Sequence, residues 1–130
     1  MKTRTRFAIS LLLALSMLMA NLVTAQAIEL RYTGITRIHS DLTISAKGVA
    51  SCEGKVALRS GYTADLTVEL KQDGVTIETW TKAGSGIITA GGTRFVSSGH
   101  DYILVTTATV YDKDGKIIET PSKDSVKVSY

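Results

Sequence analysis

The chain has 130 residues, 44% of them hydrophobic, and its 15 basic residues outnumber its 12 acidic residues. Three of the basic residues, Lys2, Arg4 and Arg6, precede an apolar run near the N-terminus, and the rest of the chain carries 12 charges of each sign. The excess positive charge therefore belongs to the N-terminal segment, and no basic stripe follows that could track a phosphate backbone. Nucleic acid is excluded as an expected partner.

Residues 1–27 have the pattern of a secretory signal peptide. The basic start is followed by the apolar run 7–20, and the small residues Ala25 and Ala27 occupy the two positions that a signal peptidase recognises. We expect cleavage after Ala27, secretion of residues 28–130, and no membrane association after cleavage. A retained membrane anchor is the alternative, but the apolar run is short for a span of about 20 residues.

Residues 28–130 form one domain by length, and their alternating apolar and polar residues predict short β-strands and no helix. The first predicted strand lies within 41–46 and the second within 50–58, separated by a turn at Lys47-Gly48. A third strand at 64–71 leads through the hairpin signal Asp73-Gly74 into a fourth at 75–81. The inward-facing residues predicted for the first three strands are Leu42, Ile44 and Ala46, then Ala50, Cys52, Val56 and Leu58, then Leu66, Val68 and Leu70.

The second half of the domain continues the same pattern. The glycine-rich stretch 83–96 is interpreted as one irregular strand with flexible flanks, and the longest strand lies within 101–111. A turn at 112–115 precedes a last strand that Pro121 splits. Seven or eight strands at this spacing, joined by local hairpins, predict an all-β protein, an antiparallel sandwich of two sheets.

One stretch, "VSSGHDYILVTTATV" at 96–110, resembles the tyrosine corner of immunoglobulin and fibronectin type III domains. In those domains a tyrosine hydroxyl at the start of strand F bonds backbone a few residues upstream. The resemblance implies an immunoglobulin-like, fibronectin type III-like sandwich of about seven strands, with Tyr102 in the corner position. The alternative is a tyrosine that simply begins a strand.

The resemblance to the tyrosine corner also gives an interpretation of Cys52, the only cysteine in the chain. In antibody-type domains a disulfide joins strand B to the position two residues after the corner tyrosine. That position is Leu104 here, so the resemblance implies that Cys52 faces Leu104 across the core. We therefore expect Cys52 to be a small buried hydrophobic residue in a sandwich without a disulfide.

The chain as a whole resembles a family of short exported proteins from Gram-positive bacteria that has no assigned function. The matching segments are "SCEG" at 51–54, "GYTADLTVELK" at 61–71, Trp80, and "TVYDKDGKIIET" at 109–120. This resemblance implies secretion and a β-sandwich, and it supplies no catalytic residue.

The sequence contains no recognisable set of catalytic or metal-binding residues. His39 and His100 lie in separate segments without a nucleophile motif, and one cysteine with two distant histidines does not make a zinc site. The turn at 112–115 begins like a calcium loop but lacks the later ligands. We expect no enzymatic activity, no bound metal and no cofactor; an enzyme with an unrecognised site is the disfavoured alternative.

The remaining functional candidates are three aromatic residues at or near strand ends: Tyr62, Trp80 and Tyr111. If Val75 and Ile77 face the core, alternation points Trp80 outward, whereas a β-bulge would reverse its direction. The leading expectation is a secreted, non-enzymatic module that binds a protein or glycan outside the cell. The alternative is a small exported toxin or inhibitor that acts on a partner protein.

Overall fold

The computed structural model describes residues 32–130, so the predicted signal peptide and its cleavage site lie outside the described residues. Those residues form β-strands and turns and contain no helix that could cross a membrane. The strands, in chain order, are β1 (Ile35–Ile44), β2 (Val49–Leu58), β3 (Thr63–Gln72), β4 (Val75–Ser85), β5 (Ile87–Phe95), β6 (Asp101–Tyr111), β7 (Ile117–Glu119), β8 (Ser122–Asp124) and β9 (Val128–Ser129).

The strands form two antiparallel sheets that pack face to face, as the sequence predicted. One sheet has the order β1-β2-β5, and the other has the order β4-β3-β6 followed by the three short strands β7, β8 and β9, all paired with β6. The chain therefore changes sheet between β2 and β3, again between β4 and β5, and again between β5 and β6. The strands β4 and β5 are both edge strands, and they lie next to each other along one side of the sandwich.

The core follows the predicted alternation closely in the three central strands. One face of β2, one face of β3 and one face of β6 are buried along most of their length. Burial of these apolar side chains is the main stabilising contribution to the sandwich. The residues that form this buried layer on the three strands are Ala50, Cys52 and Val56; Ala64, Leu66, Val68 and Leu70; and Tyr102, Leu104, Thr106, Ala108 and Val110.

The facing sheet lies close to Gly54 in the middle of β2. A side chain at this position would overlap the side chains of Val68 and Thr106 in the facing sheet. Close by, the buried hydroxyl of Ser40 donates a hydrogen bond of 2.8 Å to the backbone carbonyl of Leu104 and so joins β1 to β6. Glycine in a strand interior often marks such a close backbone approach, and here it allows the sheets to meet.

Three segments differ from the sequence-based prediction. The first strand begins at Ile35 and ends at Ile44, so Ala46, which was expected to face inward, lies exposed in the turn before β2. The stretch 83–96 is not a single irregular strand, because a turn at Gly86, with φ of 69°, divides it into the end of β4 and the whole of β5. The last strand is split as expected, but into three pieces. Between the second and third piece the chain leaves the sheet, and the hydroxyl of Ser125 accepts the N–H of Leu104 at 2.9 Å.

The predicted corner contact of Tyr102 is present in the structure. Its ring is fully buried, and its hydroxyl donates a hydrogen bond of 2.5 Å to the carbonyl of Ser97, five residues upstream. The bond holds the segment between β5 and β6 against the start of β6 where the chain crosses between sheets. Tyr102 therefore combines a large apolar contact in the core with a polar contact at its edge.

We expect Tyr102→Phe to lower the free energy of unfolding by about 1–3 kcal/mol, because the Ser97 carbonyl loses its donor in a part-buried position. Tyr111→Phe is the matched control, since the hydroxyl of Tyr111 bonds Asp65 at the exposed surface. Its effect should stay within about 0.5 kcal/mol. Urea unfolding of both variants measures the difference, and equal losses would contradict a structural role for the corner.

Cys52 is buried, with 6% of its surface exposed, and Leu104 is fully buried. Burial raises the pKa of the Cys52 thiol to about 11, and the negative charge of Glu78 adds to the effect. The thiol is therefore protonated at neutral pH and protected from reagents that attack through the thiolate. The direct pairing of Cys52 with Leu104 stays a prediction, favoured by the contact of Gly54 with Thr106 two residues further along each strand.

A second cysteine tests this pairing. In Leu104→Cys the new thiol should form a disulfide with Cys52 under mild oxidation of the folded protein, because such bonds require Cα atoms about 4.4–6.8 Å apart. Lost leucine packing offsets part of the stabilisation, so bond formation measured by mass spectrometry and thiol titration is the readout. Two thiols that remain free in the folded variant would show that the two residues do not face each other.

Candidate functional site

The direction of Trp80 is set by a β-bulge in β4. Leu70 of β3 pairs with Glu78, but the next residue, Lys71, pairs with Thr76, so Ile77 is the extra residue. A bulge shifts the alternation of a strand by one position. The bulge therefore reverses the direction that strict alternation predicts: Ile77 packs against the core, and Trp80 still lies opposite the buried Val68 on the inner face of the sheet.

The indole of Trp80 lies across the side of the sandwich, between the two edge strands. It packs against the hydrophobic core and remains partly exposed. The indole lies against Gly92 of β5 so closely that a Cβ atom at Gly92 would be 2.8 Å from its Nε1. The missing side chain at Gly92 thus makes the space that the ring occupies, and the ring closes the gap between β4 and β5.

An ion pair lies beside this contact and joins the same two strands. The guanidinium of Arg94 on β5 is 2.6 Å from the carboxylate of Glu78 on β4, and the same nitrogen donates to the carbonyl of Ile77. Arg94 therefore binds both the bulge residue and its neighbour. Although exposed ion pairs stabilise proteins little, this one fixes the backbone that presents Trp80.

A groove of about 640 Å³ runs over the outer face of the three-stranded sheet and around the edge of β5 to Trp80. Its size falls within the usual range for ligand sites, about 300–1,000 Å³. Gly91 and Gly92 form part of its floor because neither carries a side chain. At Gly91 the backbone has a φ of 146°, and a side chain would overlap the carbonyl of Cys52, so the groove cannot be filled by substitution at this position without moving β5.

Side chains on the outer face form two rows across the three strands. Thr43, Ser51 and Thr93 are register partners and make a row of hydroxyl groups. In the next row Asp41 pairs with Glu53, which pairs with Gly91 on its other side. Register partners lie within about 5.5 Å of each other at their Cα atoms. The groove is therefore lined by closely spaced hydroxyls and carboxylates, with an aromatic edge at one side.

Asp41 and Glu53 give the groove floor a negative charge. Both side chains are exposed, and like charges directly opposite each other on a sheet are destabilising. The ammonium of Lys55 lies 3.6 Å from Glu53 and partly neutralises it, and Lys82 lies at the rim of the groove beside Trp80. The arrangement can accept hydrogen bonds from a ligand and disfavours an anionic group on the floor.

The other two aromatic candidates do not join Trp80 in one surface. Tyr62 packs against the core and lies close to Gly34 at the end of the sandwich. Tyr111 lies on the outer face of the larger sheet, where its hydroxyl donates to Asp65 at 2.8 Å; this bond raises the pKa of Tyr111. The three rings lie on different parts of the molecule, so Trp80 alone lines the groove.

His100 has a carboxylate partner that sequence reasoning did not foresee. Its Nδ1 is 2.5 Å from the carboxylate of Asp73, whose other oxygen accepts the N–H of Asp101 at 3.0 Å. These hydrogen bonds, the backbone one first, lower the pKa of Asp73. The hydroxyl of Ser129 donates to Asp101, and the His100–Asp73 pair connects the turn after β3 to the segment before β6. His39 lies exposed on β1.

Apart from Trp80, the residues that define the groove were not among the sequence-based candidates for binding. Gly91-Gly92 was interpreted as part of an irregular strand, although paired glycines inside a strand often mark a close approach of another group. That signal was available. The row of hydroxyls could not be predicted from the sequence, since it depends on the register of three strands. Within residues 32–130 no three His, Cys, Asp or Glu side chains lie close enough together to hold a metal ion.

In comparisons with known proteins, no family model and no curated protein matches the chain. The resemblance to short exported Gram-positive proteins therefore stays a prediction from the sequence.

Gly92→Ala should displace the indole, because a Cβ atom 2.8 Å from Nε1 cannot be accommodated without movement. We expect a loss of stability of about 1–3 kcal/mol from overpacking. The emission of Trp80, the only tryptophan, should also shift to longer wavelength as the ring becomes more exposed.

Gly84→Ala on β4 is the matched control, since a Cβ atom there would meet only ordinary contacts at 3.8 Å and beyond. It should leave both the emission and the stability nearly unchanged. An identical spectrum for Gly92→Ala and the unsubstituted protein would show that the ring does not lie on Gly92.

Proposed function

We propose that this chain is a secreted, non-enzymatic module of the immunoglobulin-like class that binds a protein or glycan ligand outside the cell. The strand orders β1-β2-β5 and β4-β3-β6 support the class. In an immunoglobulin-like sandwich the last strand lies beside the strand that begins with the corner tyrosine, and here β7, β8 and β9 all pair with β6. The bond from Tyr102 to Ser97 supports it further, because a tyrosine corner is a hallmark of these sandwiches. The absence of a cysteine at 104 favours the fibronectin type III-like form.

Secretion is supported by the sequence of residues 1–27, with its basic start, apolar run and small residues before the cleavage site. A single buried cysteine is consistent with export, because the domain has a core large enough to fold without a disulfide.

The observation that carries the binding proposal is the groove beside Trp80. It combines a partly exposed aromatic ring, a floor made of glycine backbone and several exposed hydroxyl and carboxylate groups. Ligand sites in proteins usually combine an aromatic or apolar surface with a few polar groups that fix orientation. The groove is open along its length, which suits an extended ligand.

The experiment is capture of ligands by the purified chain, followed by titration. Immobilised cell-wall fractions, purified glycans and secreted proteins are tested for binding, and each captured ligand is then titrated while the emission of Trp80 is recorded. A ligand of the groove should change that emission, should bind at least tenfold more weakly to Gly92→Ala than to Gly84→Ala, and should be recovered chemically intact.

Two results would overturn the proposal. If captured ligands bind Gly92→Ala and Gly84→Ala equally and leave the emission of Trp80 unchanged, the groove is not the binding site. If the ligand is recovered cleaved, and cleavage is lost in Glu53→Gln, the protein is an enzyme.

A further inference from the structure

We infer that the ligand of the groove is an uncharged glycan chain that lies across β5, β2 and β1, and that Asp41 and Glu53 exclude acidic glycans. This inference rests on the proposed function, because it names the ligand class of the same site.

The hydroxyl row is the first reason to favour a glycan. The side chains of Thr43, Ser51 and Thr93 are exposed and lie side by side on three neighbouring strands. Each hydroxyl can donate one hydrogen bond and accept others, which matches the mixed donors and acceptors of sugar hydroxyls. Thr89 and Thr81 add two more hydroxyls to the lining. A polyhydroxylated ligand can satisfy these groups along the whole groove.

The position of Trp80 is the second reason. Its indole lies against Gly92 on one side and packs against the hydrophobic core, so it is a fixed ring at the groove edge. Because the ring is already fixed, little free energy is lost in ordering it when a ligand binds. This advantage matters most for ligands that bind weakly, such as sugars. The exposed part of the ring offers an apolar surface that suits the C–H face of a sugar ring.

The distribution of apolar side chains disfavours a protein ligand at this site. Protein interfaces depend on large apolar or aromatic residues packed at their centre. The exposed apolar residues of β5 are Ile87 and Phe95, at opposite ends of the strand and outside the groove lining. Strand addition to β5 is also hindered, because Trp80 and the Arg94–Glu78 pair connect its edge to β4.

The charge of the floor then selects among glycans. Asp41 on β1 and Glu53 on β2 lie opposite each other on the groove floor, and a carboxylate on a ligand that crosses these strands would be placed against both. Such repulsion discriminates between ligands by penalising the wrong one. Lys55 and Lys82 reduce this effect but lie beside Glu53 and at the rim, and not between the two acids.

Pairs of polysaccharides that differ in added carboxymethyl groups provide the test, and the acid-to-amide variants below separate charge from bulk. Neutral glucan, mannan and xylan are each compared with their carboxymethylated derivatives by titration of Trp80 emission at low ionic strength. At least one neutral glycan should bind, and its derivative should bind at least tenfold more weakly. The difference should shrink as salt is raised, because charges near the surface are screened beyond about 10 Å at 0.1 M.

Variants identify the residues responsible. Asp41→Asn with Glu53→Gln should bring the two affinities to within about threefold, because the repulsion between the two acids and the ligand carboxylates is then removed. The charge control Glu69→Gln, on the outer face of the larger sheet, should preserve the difference. Thr43→Val with Thr93→Val should weaken the neutral glycan at least fivefold, whereas Thr109→Val, outside the groove, should not.

The outcomes separate this inference from the proposed function. Binding of a protein at Trp80 with no glycan response would leave the binding module intact and overturn the glycan assignment. Equal binding of neutral and carboxymethylated forms would overturn the role of the two acids. If neither glycans nor proteins alter the emission of Trp80, the proposed function fails as well.

Discussion

The contact of the Trp80 indole with Gly92 is the constraint on which the side of this sandwich depends. Two stacked sheets leave their edges open, and at this side the edge strands β4 and β5 belong to different sheets. The ring spans them, and the pair Glu78–Arg94 joins them next to it. The bulge at Ile77 is necessary for both, because without it Glu78 and Trp80 would point away from β5.

The same contact defines the groove. A side chain at Gly92 would remove the place of the ring, and one at Gly91 would collide with the backbone of β2, so both glycines keep the floor low. The ring forms a wall against this floor, and the outer-face hydroxyls and carboxylates continue from it across β2 to β1. We thus propose that the residues that close this side of the sandwich also recognise the ligand.

The central part of the fold could be predicted from sequence because its signal is local. The alternation in β2, β3 and β6 reports burial of one face, and the hairpin residues Asp73-Gly74, with φ values of 48° and 84°, mark a turn directly. The contact of Tyr102 with upstream backbone was predicted correctly, because a tyrosine three residues after Gly99 at the start of a long alternating strand is a distinctive pattern. Such features need no knowledge of which strands pair.

The candidate site could not be predicted in the same way. The direction of Trp80 depends on a bulge that arises from the pairing of β3 with β4, and strict alternation along 75–81 points to the opposite face. The turn at Gly86 was not evident in a stretch that contains three other glycines, and the hydroxyl row exists only in the register of β1, β2 and β5. Non-local pairing decided each of these features.

The most direct test of this account is the position of the single indole N–H in solution. In a nuclear Overhauser spectrum, the Nε1 proton of Trp80 should show a strong cross-peak to the α-protons of Gly92, because the ring lies against that residue. The signal is unambiguous, since the chain has one tryptophan. Cross-peaks only to the outer face of β3, at Thr67 and Glu69, with none to Gly92, would contradict the closure of the sandwich by Trp80 and the groove built on it.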